Sequence, residues 1–115
     1  MAYLLLHHPG CSTSRKGLAL LQENGVEPEI RKYMNAGDAL SVDDLKDIAE
    51  KLGAASPRDF LRDKDAKKFE LPESADDEAV YAAMADNPRL IQRPIGINGN
   101  KAALGRPIEN LLHII

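Results

Sequence analysis

The chain has 115 residues, of which 43% are hydrophobic and 29% are charged, a composition typical of one folded domain, and we expect residues 1–115 to form it. Eighteen acidic and fifteen basic residues give a net charge of -3, which argues against nucleic acid as the main partner because phosphate binding needs a basic face. The single cysteine, Cys11, excludes an intramolecular disulfide and favours a reducing cytoplasm.

Neither a membrane partner nor a metal site is predicted. The apolar run at residues 3–6 is far too short for a signal peptide or a membrane span, and no basic segment precedes it. One cysteine and scattered histidines give no metal-ligand spacing, because adjacent His7 and His8 do not share one side of a strand. The net charge of -3 still allows a local basic patch on the surface.

The N-terminal third predicts a strand-helix-strand unit. Residues 3–7 form a short apolar strand, and residues 12–24 carry an apolar stripe at helical spacing after a run of N-capping hydroxyl side chains. Gly25 ends this helix, and residues 27–33 alternate weakly, as in a second strand. A connection of this length favours parallel pairing with a right-handed crossover.

The middle of the chain is predicted to be mostly helical. The predicted segments are a loop at 35–38, a helix at 41–53, a short helix from residue 56, a solvated loop or frayed helix at 63–72, and a helix at 76–87. Ser41 opens a segment that resembles a capping box, and Gly53 ends that helix. Ser56 and Pro57 suit the N-cap and first position of the short helix.

The C-terminal part predicts a hairpin and a last helix. Residues 90–97 form a strand, the hairpin signal Asn-Gly-Asn at 98–100 returns the chain antiparallel over residues 101–104, and residues 108–115 form the helix. The order of elements therefore predicts an α/β, thioredoxin-like fold. We expect a central mixed four-stranded β-sheet flanked by helices, with a helical insertion at about residues 40–88.

Cys11 lies where a thiol is most reactive, at the start of the first predicted helix. Free backbone N–H groups and the helix dipole stabilise an anion there, which lowers the pKa of a cysteine. Ser14 takes the place of the second cysteine in a C-x-x-S motif, so any disulfide of Cys11 needs an external thiol to resolve it. The alternative is that Cys11 is an inert, buried, small apolar residue.

Three arginines are candidates for binding an oxyanion. Arg93 and Arg106 each precede a proline, and Arg62 follows an apolar pair. Guanidinium groups suit tetrahedral oxyanions because they are always charged and bind in a bidentate manner. The alternative for each is a solvated surface residue.

Two further residues have open interpretations. Pro94 stands inside an apolar strand, which indicates either an edge strand or bulge, or a cis peptide bond after Arg93 beside the thiol. His7 ends the first strand four residues before Cys11, where it is either a cation or hydrogen-bond partner of the thiolate or a structural histidine.

Four motifs in order over nearly the whole chain resemble the glutathione- and glutaredoxin-linked arsenate reductases of thioredoxin-like fold. They read HHPGCSTSR at residues 7–15, SPRDFLR at 56–62, NPRLIQRPI at 87–95 and GRP at 105–107. The departures are His8 where the family usually has Asn, and Phe60 where it usually has Leu. His8 adds a titratable group, which leaves local hydrogen bonding and the pH optimum open.

The resemblance implies arsenate as substrate, no bound cofactor, glutathione as co-substrate and glutaredoxin as partner. The site residues that it implies are the nucleophile Cys11, the oxyanion-binding Arg62, Arg93 and Arg106, His7 as a residue that tunes the thiolate, and Ser14 as its hydrogen-bond partner. The implied mechanism is attack of the thiolate on arsenic(V), attack of glutathione on the adduct with release of arsenite, and regeneration of the thiol by glutaredoxin.

Two alternatives of a different kind remain open. Spx-type transcription regulators of the same fold bind RNA polymerase, although many of them carry a C-x-x-C switch that is absent here and they lack the full arginine set. The other alternative is a related monothiol reductase with a different substrate.

Overall fold

A mixed four-stranded sheet forms the centre of the protein. The computed structural model describes residues 3–115, apart from the side chain of residue 36. The strands are β1 (Leu4–Leu6), β2 (Glu29–Arg31), β3 (Ile95–Asn98) and β4 (Lys101–Leu104). Their order across the sheet is β2-β1-β3-β4, with β1 and β2 parallel and β3 antiparallel to both of its neighbours. This sheet and the helices around it confirm the predicted fold class.

The helices cover both faces of the sheet. The α-helices are α1 (Ser12–Glu23), α2 (Val42–Leu52), α3 (Asp63–Lys68) and α4 (Asp77–Asp86). Short 3-10 helices lie at Ala36–Asp38, Pro57–Phe60, Pro88–Leu90 and Ile108–Ile114. Within residues 3–115 no helix is both long and apolar enough to cross a bilayer.

The predicted capping signals of α2 are confirmed. The Ser41 hydroxyl accepts a hydrogen bond from Asp44 N–H at 3.1 Å, and the Asp44 carboxylate accepts one from Ser41 N–H at 3.0 Å. Gly53 ends the helix with a φ of 70°, a left-handed conformation that favours glycine. This part of the fold is therefore encoded locally.

The central strand β1 contributes to two cores because successive strand residues point to opposite sides of the sheet. Leu6 belongs to the larger core, which α2 and α4 cover, whereas Leu5 belongs to a smaller core with Leu21 of α1 and Leu111 of the last 3-10 helix. The Tyr3 hydroxyl also donates to the Leu111 carbonyl at 2.8 Å, which ties the C-terminal segment to the start of β1. The smaller core thereby fixes α1 against β1.

Several element boundaries differ from the sequence predictions. The strand predicted at 27–33 is limited to β2, and the strand predicted at 90–97 begins only at Ile95. Pro88 starts a 3-10 helix that includes Leu90, and Ile91 forms an isolated bridge with Leu61. The last helix is a 3-10 helix, and part of the loop predicted at 35–38 is a 3-10 helix. In the segment predicted at 63–72 as a solvated loop or frayed helix, α3 agrees with the second alternative.

Candidate active site

Cys11 is the N-cap residue of α1, as the sequence predicted. Its backbone is extended, with φ -99° and ψ 123°, and its side chain is half-buried. The Cys11 N–H donates to the His8 carbonyl at 2.9 Å, and the Arg15 guanidinium closes the same loop by donating to the Pro9 carbonyl at 2.7 Å. The first turn of α1 contains no acidic residue, so its positive end is left for an anion.

The surroundings of Cys11 lower the pKa of its thiol. Burial alone raises this pKa, but the backbone N–H of Ser14, the Arg93 guanidinium and the N–H of Thr13 together outweigh burial. The thiolate fraction near neutral pH is therefore larger than for an ordinary cysteine, and the thiolate is the nucleophilic form.

Arg93 and Arg106 meet beside the Cys11 sulfur. Arg106 Nη2 lies 3.9 Å from Sγ, and Arg106 Nε donates to the Arg93 carbonyl at 3.0 Å. Arg106 makes this contact from an exposed position, where solvent weakens its effect on the thiol, whereas the Arg93 side chain is buried. Burial explains why Arg93 contributes to the lower pKa of Cys11.

The charge of Arg93 has no carboxylate partner within residues 3–115. Only 7% of the residue is exposed, its Nη1 donates to the Arg89 carbonyl at 3.2 Å, and its buried Nε has no hydrogen-bond partner. No carboxylate of the described residues pairs with it. Since a buried, unpaired charge is costly, this guanidinium suits an anionic ligand that arrives from outside.

Arg62 is held in place by contacts between two distant segments of the chain. The isolated bridge between Leu61 and Ile91 is flanked by a hydrogen bond from Arg62 N–H to the Leu90 carbonyl at 2.7 Å. The Arg62 side chain forms an ion pair with the largely buried Asp65, with 3.1 Å between Nη1 and Oδ2, although the contact lacks hydrogen-bond geometry. Within the described residues, Arg62 makes no hydrogen bond to Cys11.

Pro94 packs tightly between two glycines. The Arg93–Pro94 peptide bond is cis, in agreement with one of the two interpretations of this proline, and the Arg106–Pro107 bond is also cis. A Cβ atom on Gly17 would lie 2.9 Å from Pro94 Cγ, and one on Gly105 would lie 2.8 Å from the same atom. Glycine at both places lets α1 and the segment after β4 approach the residue that follows Arg93.

The side chains of His7 and Ser14 hydrogen-bond within the loop between β1 and α1 and do not contact the thiol directly. The buried Ser14 hydroxyl lies 2.8 Å from His7 Nδ1 and accepts from the His8 N–H at 3.1 Å. The hydrogen bond expected between this hydroxyl and Cys11 is absent from the described residues, and the Ser14 backbone N–H acts on the thiol instead. Burial, followed by nearby cationic groups, lowers the pKa of His7, which disfavours the cationic form of the ring.

Two residues of the site escaped the sequence predictions. Tyr33 is fully buried, its hydroxyl has no hydrogen-bond partner, and burial raises its pKa to about 12. After burial, the charge of Arg93 lowers the pKa of that hydroxyl and the charge of Cys11 raises it. Asp65 is the other residue, and its spacing of three from Arg62 on a helix was a usable signal.

No group of His, Cys, Asp and Glu side chains within residues 3–115 is arranged to hold a metal ion. The arrangement instead offers a thiolate at a helix N-terminus, a buried guanidinium without a carboxylate partner and a second guanidinium at the surface. Chemically, it can bind a tetrahedral oxyanion and attack its central atom.

Comparison with known proteins gives one consistent result. A protein-family model described as the ArsC family matches residues 6–114. A curated "Arsenate reductase" of Neisseria meningitidis is 44% identical over 110 residues, which are 93% of this chain and 92% of that protein. Another from Haemophilus influenzae is 40% identical over 118 aligned positions that span 100% of both chains. The solved structure "Arsenate reductase from Vibrio cholerae" superposes with a TM-score of 0.91 at 38% identity, covering 100% of this chain and 98% of that one.

Proposed function

The chain belongs to the ArsC family, and on this basis we propose that it is a glutathione- and glutaredoxin-dependent arsenate reductase of the reducing cytoplasm. The observation that carries the proposal is the buried, unpaired guanidinium of Arg93 beside the Cys11 thiol. It supplies fixed positive charge where an oxyanion must sit for the sulfur to reach its central atom. The relatives with the printed name "Arsenate reductase" support arsenate as that oxyanion.

The first step joins sulfur to arsenic. The Cys11 thiolate donates its electron pair to arsenic(V), and an arsenate oxygen leaves as water after protonation. Arg93 and Arg106 hold the other oxygens and offset the negative charge that builds up on them. Arg62, fixed by Asp65, adds a third cation at the edge of the site.

The next steps move two electrons from thiols to arsenic. A glutathione thiolate attacks the Cys11 sulfur, a sulfur–sulfur bond forms, and the sulfur–arsenic pair passes to arsenic, which leaves as arsenite. Glutaredoxin then attacks the glutathione sulfur of the mixed disulfide and releases the Cys11 thiolate. An external thiol is needed because Cys11 is the only cysteine and Ser14 stands at the position of a resolving one.

An assay of arsenite formation under defined reductants tests the proposal. Purified protein with arsenate, glutathione and glutaredoxin is expected to turn over repeatedly. Without glutathione the mixed disulfide cannot form, and without glutaredoxin turnover should stop once it has formed. Thioredoxin with its reductase is not expected to replace them, because no second cysteine is present to form the intramolecular disulfide that thioredoxin reduces.

Cys11→Ser is the matched control, since the hydroxyl keeps the size of the side chain but is not ionised near neutral pH. The rate of arsenite formation with the variant should equal the rate in the same mixture without protein. Equal rates for the variant and the unchanged protein would contradict the proposal, and in that case binding to RNA polymerase would be the next property to measure.

A further inference from the structure

One buried polar group has no role in the steps that involve arsenate. The Tyr33 side chain is fully buried, and its hydroxyl has no hydrogen-bond partner. Two other buried side-chain atoms within residues 3–115 share this property, Arg93 Nε and Asp65 Oδ2. Asp65 has the Arg62 guanidinium beside it at 3.1 Å, so an acceptor on Tyr33 and a donor on Arg93 are left. Unpartnered buried groups are costly, which makes the relation of these two groups informative.

The sheet brings Tyr33 and Arg93 to the same edge. Leu6 of β1 pairs with Arg31 of β2 on one side and with Ile95 of β3 on the other. Tyr33 comes two residues after Arg31, and Arg93 comes two residues before Ile95. Because β3 runs antiparallel to β1, both residues lie beyond Leu6, at the edge of the sheet where the loop between β1 and α1 begins.

The two groups also act on each other. Tyr33 belongs to the larger core together with Leu6 and Ile95. Burial raises the pKa of Tyr33 to about 12, and the Arg93 guanidinium lowers it, both through its charge and as a hydrogen-bond donor. No hydrogen bond of good geometry joins them in the structure. A small rotation of the guanidinium would therefore satisfy both groups at once.

A neutral hydroxyl suits this place because it can hold a guanidinium without cancelling its charge. With its pKa raised, Tyr33 stays protonated near neutral pH, and its oxygen can accept from Arg93 Nε–H. A carboxylate in the same place would also accept this hydrogen bond, but it would pair with the charge that an oxyanion needs. Arg62 shows the other arrangement, since its partner is the carboxylate of Asp65.

The Arg93 guanidinium needs a second point of attachment to present a fixed plane. Within residues 3–115, the Arg93 side chain donates one hydrogen bond to an oxygen, from Nη1 to the Arg89 carbonyl at 3.2 Å. One bond leaves the guanidinium free to turn about it, whereas bidentate binding of an oxyanion requires a defined plane.

We propose that Tyr33 is a positioning residue of the oxyanion site, a role that rests on the proposed function for arsenate as that oxyanion. Its hydroxyl accepts a hydrogen bond from Arg93 Nε–H when arsenate binds to the outer nitrogens, and this bond fixes the plane of the guanidinium. Tyr33 acts through Arg93 and does not touch the substrate, in agreement with its complete burial.

Arsenate binding in the Cys11→Ser background tests this role without any turnover. The serine hydroxyl is not ionised near neutral pH, so calorimetric titration measures the affinity for arsenate alone. Addition of Tyr33→Phe should weaken binding about tenfold, because a hydrogen bond to a charged group is lost. Addition of Tyr81→Phe is the matched control and should leave the affinity unchanged. Tyr81 belongs to the same core but lies on α4, where its ring faces Lys46 of α2.

Thermal unfolding without arsenate separates positioning from a structural role. Tyr33→Phe keeps the ring in the core and removes only a hydroxyl that has no partner, so the melting temperature should stay the same or rise. A hydroxyl that holds the fold together would lower the melting temperature when it is removed, and that result would overturn the positioning role.

Kinetics with saturating glutathione and glutaredoxin provide a third measurement. Tyr33→Phe should raise the KM for arsenate about tenfold and leave kcat within about twofold, because the bond forms on binding and persists in the transition state. A lower kcat with an unchanged KM would contradict this role.

The outcomes for Tyr33 and for the proposed function can be told apart. Equal arsenate affinity of Cys11→Ser with and without Tyr33→Phe would overturn the role of Tyr33 and leave the proposed function in place. Weaker binding caused by Tyr33→Phe, in a protein whose unchanged form makes no arsenite, would keep the role of Tyr33 and overturn the proposed function.

Discussion

Arg93→Met is expected to lower kcat/KM for arsenate by about 100- to 1000-fold, the usual cost of removing one fixed donor from an oxyanion site. Methionine fills a similar volume but carries no charge, so the oxyanion loses the buried cation that faces no carboxylate within residues 3–115. The fold should persist, because removal of an unpaired buried charge is not a loss of stability. Steady-state kinetics together with a thermal melt separate the two effects.

The same variant should change the pH dependence of the thiol. Arg93 helps to lower the pKa of Cys11, so its removal raises that pKa, and the thiolate then forms only at higher pH. The pH profile of Cys11 alkylation by iodoacetamide should therefore shift to higher pH.

Arg93→Lys keeps the charge but loses the planar fork of the guanidinium. It should therefore leave the alkylation midpoint nearly unchanged, while arsenate binding still weakens. An unchanged kcat/KM in Arg93→Met would remove Arg93 from the oxyanion site.

Gly17→Val is expected to destabilise the protein by about 2 to 3 kcal/mol, the typical cost of forcing extra atoms into a packed core. Gly17 is buried on α1, and a Cβ atom there would already lie 2.9 Å from Pro94 Cγ and from a Leu111 methyl carbon. The proline ring cannot move aside as a long side chain does, so α1 must shift away from the segment that carries Arg93. Chemical denaturation measures the change in the free energy of unfolding.

Gly37→Val is the matched control for this change. Gly37 is exposed, and a Cβ atom there meets no heavy atom of the described residues within 4 Å. Its effect on stability should remain within about 0.5 kcal/mol. Equal losses for the two variants would show that the contact with Pro94 is not what limits position 17.

The position of Cys11 could be predicted because its signals are local. Cys11 follows a short apolar strand and a Pro-Gly pair and precedes a helix, and the structure places it as the N-cap residue of α1. The capping box at Ser41 and the stop at Gly53 are likewise encoded by neighbouring residues. The parallel pairing of β1 with β2 follows from the length of the connection and the preferred handedness of the crossover.

The arrangement of the arginines could not be worked out from local pattern. Arg62 directly follows the bridge between Leu61 and Ile91, and this pairing joins residues that are distant in the chain. Asp65 was missed because its charge-rich segment resembles a solvated loop, whereas tertiary packing buries one of its acids. Tyr33 was missed because a buried hydroxyl without a partner has no signature in sequence alone.

In the proposed reaction, Cys11 reduces arsenic by becoming a mixed disulfide with glutathione. Intact-protein mass spectrometry after anaerobic incubation with reduced glutathione, with and without arsenate and in the absence of glutaredoxin, tests it most directly. We expect one glutathione per chain, attached at Cys11, only when arsenate is present as the oxidant. Absence of the adduct with arsenate, or equal amounts with and without it, would contradict the proposed reaction.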